Sequence, residues 1–492
     1  MFDFNLSSKK TRLALRFFTY GVMTVASVVL TTLLVFVALG YRLDKNFNFS
    51  QGGLVQFRSA PNDATVTIDG KLQSFHTPDK TNLPAGQHSV AMQRDGYHAW
   101  NKTVDLAAGQ LLWLNYARLI PNTISTSTVK EYPSVDKTLG SPDKHWMLML
   151  LEPHKPDFAL VDYSDEKKPV FKDMQIPDDL FTKKDGSYGT FKILEWDLQS
   201  KYVLVEHENG DIVEFARIDR SKPADSVNLT KLFGLDIKDA HFSGNNANVM
   251  YAKTSDVLRR LDVGAASASA ALVDNLRTFV VYGGDTIAFT NTKQVTTGDD
   301  TTTKQQVGIY RGGKIIPVRD VAASAQVKLA YNEYDNHSYL AINTGTDSKT
   351  DIVRDATSTG SSQAASVFAQ LDLGREVTWL SFSSSGRMLL AQNGKYMATY
   401  DLETAKSASK TVEAGTDNVS QLRWLDDYYL WTDAGGALRI FEFDGANEHQ
   451  ITTVTPGFDA MLSSNGERLL TIQKNNAGKF DLRASKLVLD NN

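Results

Sequence analysis

Between Arg16 and Arg42 lie 25 residues without a formal charge, and that run constrains the rest of the chain. At about 1.5 Å of rise per residue, a helix of this length crosses the roughly 30 Å hydrocarbon core of a bilayer with some tilt. Phe17 to Gly40 is rich in Val and Leu, with Tyr20 and Tyr41 near the ends, where aromatic rings anchor at the interface. No second run of this kind follows. The expected layout is a tail at 1–16, one transmembrane signal anchor at 17–41 and a linker at 42–51. Lys9, Lys10, Arg12 and Arg16 precede the span against Asp3, whereas Arg42 and Lys45 flank Asp44 after it. The heavier basic flank stays in the cytoplasm, which puts the remaining chain outside it, in a periplasm or at a cell surface. The rival reading is a cleaved signal peptide with Ala38-Leu39-Gly40 as its small-residue site. The apolar core of such a peptide is usually about 7–15 residues, and this run is longer.

The chain has no cysteine, so a lipoprotein anchor, disulfides and thiolate metal sites are excluded together. Of 52 basic and 57 acidic side chains, residues 1–51 hold six and two and residues 52–120 hold six and five. That leaves 40 and 50 for residues 121–492, a net charge of −10. A module this acidic repels nucleic acid and anionic polymers, and the same charge keeps it soluble.

From Leu54 the apolar residues alternate: Val55 and Phe57, Val66 and Ile68, Val90 and Met92, Val104 and Leu106, Leu112 and Leu114. Period-two runs of this length are half-buried strands. Turn chemistry separates them at Ala60-Pro61-Asn62-Asp63, Asp69-Gly70, Pro84-Ala85-Gly86 and Asp95-Gly96. A small antiparallel β-sandwich over 52–121 is expected. The order of Ser59-Ala60-Pro61-Asn62-Asp63-Ala64, Val66-Thr67-Ile68-Asp69-Gly70, Thr77-Pro78, Leu83-Pro84-Ala85-Gly86 and Asp95-Gly96-Tyr97 resembles a PEGA domain. The Pro-Glu-Gly-Ala signature stands here as Pro61-Asn62-Asp63-Ala64, and Asn and Asp tolerate the tight turn that Gly would serve. The resemblance implies a binding or spacer module of a bacterial or archaeal envelope protein, with no catalytic residue to carry over. In so small a sandwich the aromatics are needed for the core. Tyr97 and Trp113 are expected there, with Trp100 the candidate for an exposed stacking platform.

Beyond residue 122 a loose repeat recurs: an apolar or aromatic residue, a polar turn, and an apolar run seven positions later. Leu139 leads to Trp146, Trp196 to Val203, Phe242 to Val249, Phe382 to Leu389 and Leu462 to Leu469, with less regular copies near Val281, Tyr331 and Trp424. The interval averages about 46 residues, within the range of propeller blades. A four-stranded blade cannot bury both faces alone, whereas a closed ring hides them against its neighbours. The turns Ser141-Pro142-Asp143-Lys144, Ser384-Ser385-Gly386-Arg387 and Ser464-Asn465-Gly466-Glu467 resemble those of TolB-like and WD40-like propellers, without the Gly-His and Trp-Asp pairs of true WD40 repeats. The expected fold is an all-β ectodomain on one N-terminal transmembrane helix. A PEGA-like sandwich leads into a propeller over 122–492, with eight blades favoured and seven the alternative. Thr123 to Lys130 is placed to close the ring against the last strands near Lys486 to Leu489. The recurring Trp and Phe are better explained by blade-to-blade packing than by carbohydrate recognition. Three polar stretches, Ala265–Ala271, Thr292–Gln306 and Thr344–Ser366, read as loops. The second and the start of the third link the second and third strands of a blade and so share one propeller face, the candidate binding face, with ordinary flexible loops as the alternative.

Local catalytic motifs are absent. No G-x-S-x-G elbow, P-loop or dinucleotide fingerprint occurs, and His76, His88, His98, His145, His154, His207, His241, His337 and His449 show no zinc-binding spacing. Glu333 with Asp335, Asp299 with Asp300, Asp347 with Asp351, Asp178-Asp179 and Asp426-Asp427 follow no Ca²⁺-loop pattern and read as solvated surface acids. No catalytic, cofactor or metal residue is assigned and no cofactor is expected. The leading expectation is a non-enzymatic, membrane-anchored binding protein whose partner is a protein or a cell-surface or cell-wall component, as an adhesin or an envelope scaffold. The alternative is an extracytoplasmic propeller lyase or hydrolase acting in the central channel, and a spacer without a ligand is a third reading.

Overall fold

The computed structural model describes residues 9–38, 41–43, 49–244, 246–297, 300–357, 365–413 and 419–490. Asp299, residues 44–48 of the linker and residues 358–364 of the third polar stretch lie outside them. The chain divides into two compact units, Met1–Asn122 and Thr123–Asn492.

An α-helix runs over Lys9–Ala38, 30 residues, so it begins inside the basic flank rather than after it. Its segment Leu15–Phe36 is long and apolar enough to cross a membrane and buries nothing against the protein. Three hydroxyls within it are internally satisfied: Thr19, Thr24 and Thr32 donate to the carbonyls of Leu15, Tyr20 and Val28 at 2.7, 2.9 and 2.8 Å. That pairing lets threonine sit where no water is available. Both folded modules follow this helix in the chain, on one side of any membrane it crosses.

The first module is a sandwich of two four-stranded sheets. One contains Phe49–Ala60 between Asp79–Pro84 and Leu111–Arg118; the other orders Lys71–His76, Thr65–Ile68, Gly86–Gln93 and Trp100–Leu106. It is not wholly antiparallel, because Leu111–Arg118 runs parallel to Phe49–Ala60. The first and last strands of the module thereby close side by side. Asp63 has φ +67°, the left-handed conformation that the family's glycine would adopt, and its carboxylate meets His76 Nδ1 at 2.8 Å. Behind the turn, Thr77 Oγ1 accepts from Ala64 N at 3.0 Å and pairs with Ser59 Oγ at 2.6 Å.

The aromatic assignment needs correction. Trp100 is 1% exposed and packs with Phe57, Val66, Met92 and Leu114, and Tyr97 is buried as expected. Trp113 is 39% exposed, on the outer face with Leu111. The pleat decides this. Trp100 shares a parity with the inward Leu106, whereas Trp113 lies between the inward-facing Leu112 and Leu114. Trp100→Ala is therefore expected to destabilise the module by about 3–5 kcal/mol, and Trp113→Ala by under about 1 kcal/mol. Chemical denaturation of the two variants followed by circular dichroism checks the contrast.

The second unit consists of eight four-stranded antiparallel sheets, an eight-bladed β-propeller. Blades one to seven take their strands in chain order. The eighth pairs Met461–Leu462, Arg468–Lys474 and Phe480–Lys486 with Thr126–Tyr132 from the start of the unit. The ring closes through the segment expected from the sequence, but its partner is Phe480–Lys486, which ends where the expected Lys486–Leu489 begins, and Leu482 faces Lys130 in the register. Second strands are buried on both faces, as in Trp146–Leu150, Val249–Thr254 and Met388–Asn393, because each is sandwiched between neighbouring blades. Outer strands such as Lys406–Thr411 are largely exposed. Hydrophobic clusters bridge blade to blade: Leu148 and Phe158 with Val203 and Val205, Phe215 with Met250, and Tyr339 with Leu389.

The repeat has a mechanical meaning. In four of the five regular turns a side chain at the start caps the backbone N–H five residues on, the exception being blade three, where Ser243 Oγ donates to the Asn246 carbonyl at 3.0 Å. Ser141 Oγ accepts from Trp146 N at 2.9 Å, Asp197 from Tyr202 N at 2.5 Å, Ser383 from Met388 N at 3.2 Å and Ser463 from Arg468 N at 2.9 Å. Gly386 in one of these turns has φ +79°, and a Cβ there would stand 2.4 Å from the Glu333 carbonyl of the preceding blade. Blades four and five instead use two-residue turns at Gly284-Asp285 and Asp335-Asn336, which is why the pattern weakens near Val281 and Tyr331. The residue before each turn packs across the seam. Trp196 Nε1 donates to the Leu139 carbonyl at 3.2 Å and Trp424 Nε1 to Ser381 Oγ at 3.2 Å, both in the preceding blade.

Candidate functional site

Two features of the propeller stand apart from its scaffold. The first is the segment Thr292–Gln306, expected as a loop. It is strand instead: Thr286–Thr297 pairs with Asp300–Arg311 in one hairpin. Alternation of threonine with longer polar residues favours the extended state, since β-branched side chains fit a pleated surface. The first strand of this blade reaches only Asn291 and the fourth only Lys304. Beyond the Lys293–Lys304 pair, the four residues Gln294–Thr297 and their partners Asp300–Thr303 therefore form a free two-stranded ribbon, about 14 Å long at roughly 3.4 Å per residue. Its own cross-strand bonds tie Thr296 to Thr301 at 3.1 Å and Thr303 to Gln294 at 3.2 Å. As expected, it joins the second and third strands of its blade, and residues 344–348 make the same connection in blade five. Ala265–Ala271 joins the third and fourth strands of blade three, so it lies on the opposite face.

The second feature is the central channel. A cavity of about 570 Å³ is lined by the inner strands of blades six, seven, eight, one and two. Trp379, Trp424 and Trp431 supply aromatic surface; Lys137, Lys144 and Arg423 supply positive charge, and Asp426 and Asp459 negative. Both carboxylates are committed. Asp459 accepts from Gly140 N and from Arg423 Nη1, each at 2.8 Å. Asp426 caps its turn through the N–H groups of Tyr428 and Tyr429 at 2.9 and 2.8 Å. Arg423 also lies 5.3 Å from the centre of the Trp431 ring.

Farther round the ring, His241 in blade three meets Glu195 of blade two at 2.9 Å, Asp239 at 3.5 Å and the edge of Phe279 in blade four. Burial disfavours charge on His241, but the Glu195 hydrogen bond and the two carboxylates outweigh it and raise its pKa. Asp239 is pushed up by burial, only partly offset by His241. Deeper in blade two, His207 and Glu214 are fully enclosed at 3.1 Å, with Thr182 donating to Glu214 through both its backbone and its hydroxyl. Among the described residues no cluster of three or more His, Asp or Glu side chains is arranged to hold a metal ion.

Asp178, Asp179, Asp300 and Asp335 are exposed, as the reading of solvated surface acids expects, while other members of that set are engaged structurally. Asp351 pairs with Arg319 and accepts from Gln370 at 2.7 Å, Glu333 meets Arg311 at 3.5 Å, and Asp427 accepts from Ser385 N of the preceding blade at 2.6 Å. Asp347 caps Lys349 N at 3.0 Å. Cross-blade pairing draws these groups in, and only the ring geometry reveals it.

Residues 53–119 match the PEGA domain family. No curated protein matches the chain. Solved structures that resemble it include Kluyveromyces lactis Hsv2, with 10% identity, a TM-score of 0.39, and coverage of 72% of this chain and 99% of that one. The Dos1 propeller has 10% identity, a TM-score of 0.48 and coverage of 75% and 96%. Porphyromonas gingivalis dipeptidyl peptidase 4 has 11% identity and a TM-score of 0.48 over 70% of this chain and 57% of its own.

Proposed function

We propose that this is a non-enzymatic, membrane-anchored envelope protein that holds a propeller outside the cytoplasm to bind a protein partner. The observation that carries this reading is the free ribbon of Gln294–Thr297 and Asp300–Thr303. An isolated two-stranded hairpin is marginal in water, and no other strand of the blade pairs with this one past the Lys293–Lys304 pair. A ribbon of that kind offers unpaired backbone groups along both edges, the template by which extended segments of other proteins add as strands. The orientation rests on the basic flank before the helix. The PEGA match adds a module found in envelope proteins. Against a hydrolase or lyase in the channel stands the engagement of Asp426 and Asp459 by backbone donors and Arg423, which leaves neither carboxylate free as a base.

The test is photo-crosslinking in cells from probes at Gln294 and Thr302, with Glu467 on the opposite face as control. One dominant protein captured from the ribbon and not from Glu467 is the expected result. Crosslinks confined to this chain, or the same spectrum from both faces, would overturn the reading.

A further inference from the structure

We propose that the central channel is a binding site for a small acidic carbohydrate, an oligosaccharide carrying carboxylates. The argument starts from hydrogen-bond stoichiometry. The cavity's two carboxylates are consumed by Gly140, Arg423 and the turn at Tyr428-Tyr429. Of its donors, Arg423 and the Trp424 indole N–H are engaged by Asp459 and Ser381, but the others are not. Lys137 and Lys144 have no carboxylate partner among the described residues, and the indole N–H groups of Trp379 and Trp431 make no hydrogen bond there. A cavity left with free donors and a net positive lining selects a ligand rich in acceptors and negative in charge. This lining lies inside a module whose net charge is strongly negative, so the attraction is local and does not extend to large anionic polymers at the outer surface.

The aromatic content narrows the class further. Trp379 and Trp424 are each partly exposed to the cavity, and aromatic faces of this kind pack against the apolar faces of sugar rings while leaving the hydroxyls to polar donors. An acidic peptide would be the other anionic occupant. It would gain most by pairing its backbone with the inner strands, but four of these five are only two to four residues long, at Arg423–Trp424, Met461–Leu462, Lys137–Gly140 and Trp379–Phe382, and only Thr190–Trp196 reaches seven. Recognition therefore falls to side chains, which favours a compact ring-based ligand over an extended chain. A volume of about 570 Å³ lies within the ordinary range of small-molecule pockets.

The experiment uses the full-length chain in lipid nanodiscs, titrated with trigalacturonic acid and followed by tryptophan fluorescence and calorimetry. Galactotriose serves as the neutral counterpart and penta-aspartate as the acidic peptide. Saturable binding of the tri-acid is expected, at least about tenfold tighter than either comparison ligand. Trp379→Phe removes an indole N–H while keeping a ring, and Lys137→Gln removes a charge from an exposed strand start. Each should weaken the tri-acid by about tenfold with the melting temperature retained. Lack of saturation by about 10 mM, equal affinity for the neutral sugar, tighter binding of the peptide, or unchanged affinity in Lys137→Gln would each overturn the assignment. Because the ribbon crosslinks are read separately, failure here leaves the protein-binding proposal standing, and the reverse also holds.

Discussion

Replacing Glu214 by alanine is expected to destabilise the propeller by about 3 kcal/mol or more, because the Thr182 N–H and hydroxyl and the His207 ring N–H are left buried without their acceptor. Glu214 and His207 have side-chain exposures of 4% and 0%. Burial alone would raise the Glu214 pKa, but the hydrogen bonds from His207 and from the Thr182 hydroxyl and N–H, with Lys231 nearby, lower it to about 2. The carboxylate therefore stabilises the fold fully above its ordinary value of 4.5 and ceases to do so as pH falls toward about 2. Wild-type protein should lose stability across that window by up to about 3 kcal/mol from this group. Glu214→Gln, which keeps the shape but cannot ionise, should flatten that part of the profile. Hydrogen exchange in Tyr202–Asn209 and Ile212–Asp219 reports the local effect. A wild-type profile that does not change between pH 5 and 2, or a variant with the same slope, would count against this account.

The apolar helix, the sandwich and the ring were legible because each rests on local periodicity: an uncharged run, a period of two, and a turn every 46 residues or so. The misassignment of Trp100 and Trp113 came from weighing size above the pleat. Leu106 and Leu112 were already read as inward-facing, and their parity places Trp100 inside and Trp113 outside. The free ribbon was missed because its threonine-rich composition reads as loop, although alternation was present. Cross-blade contacts were harder still, since their members lie a whole repeat apart. Yet Glu195 and His241 occupy the same place in consecutive units, one residue before Trp196 and Phe242. Superposing the repeats would have predicted that pair. The channel could not be foreseen in this way. Its free donors emerge only after the partners of Asp459 and Asp426 are known, and those partners come from other blades or from turn geometry.

Asp459 gives the second large expected effect, because it holds the seam where the ring closes. Its carboxylate joins Gly140 N of blade one to Arg423 of blade seven, and its backbone N–H donates to Thr138 Oγ1 at 2.8 Å. The Asp459 side chain is 14% exposed and Arg423 46%, so water can take over the guanidinium but not the enclosed Gly140 N–H. Asp459→Ala leaves the Gly140 amide N–H without its acceptor, while the half-exposed Arg423 guanidinium turns to water, and should cost about 1–3 kcal/mol. The loss should concentrate at the seam. Thr126–Tyr132 is the outer strand of blade eight, and the Phe480–Lys486 strand that holds it continues the blade anchored by Asp459. Hydrogen exchange in those two strands is expected to rise by at least about tenfold, while Val249–Thr254, across the ring in blade three, remains protected. A uniform rise in exchange around the ring would instead mean that closure is carried by the paired strands and the packing of Met147, Met461 and Leu482, with Asp459 incidental. Arg423→Met discriminates further. It removes the cation but leaves the Gly140 N–H bond in place, so a seam held by Asp459 should lose less than in Asp459→Ala.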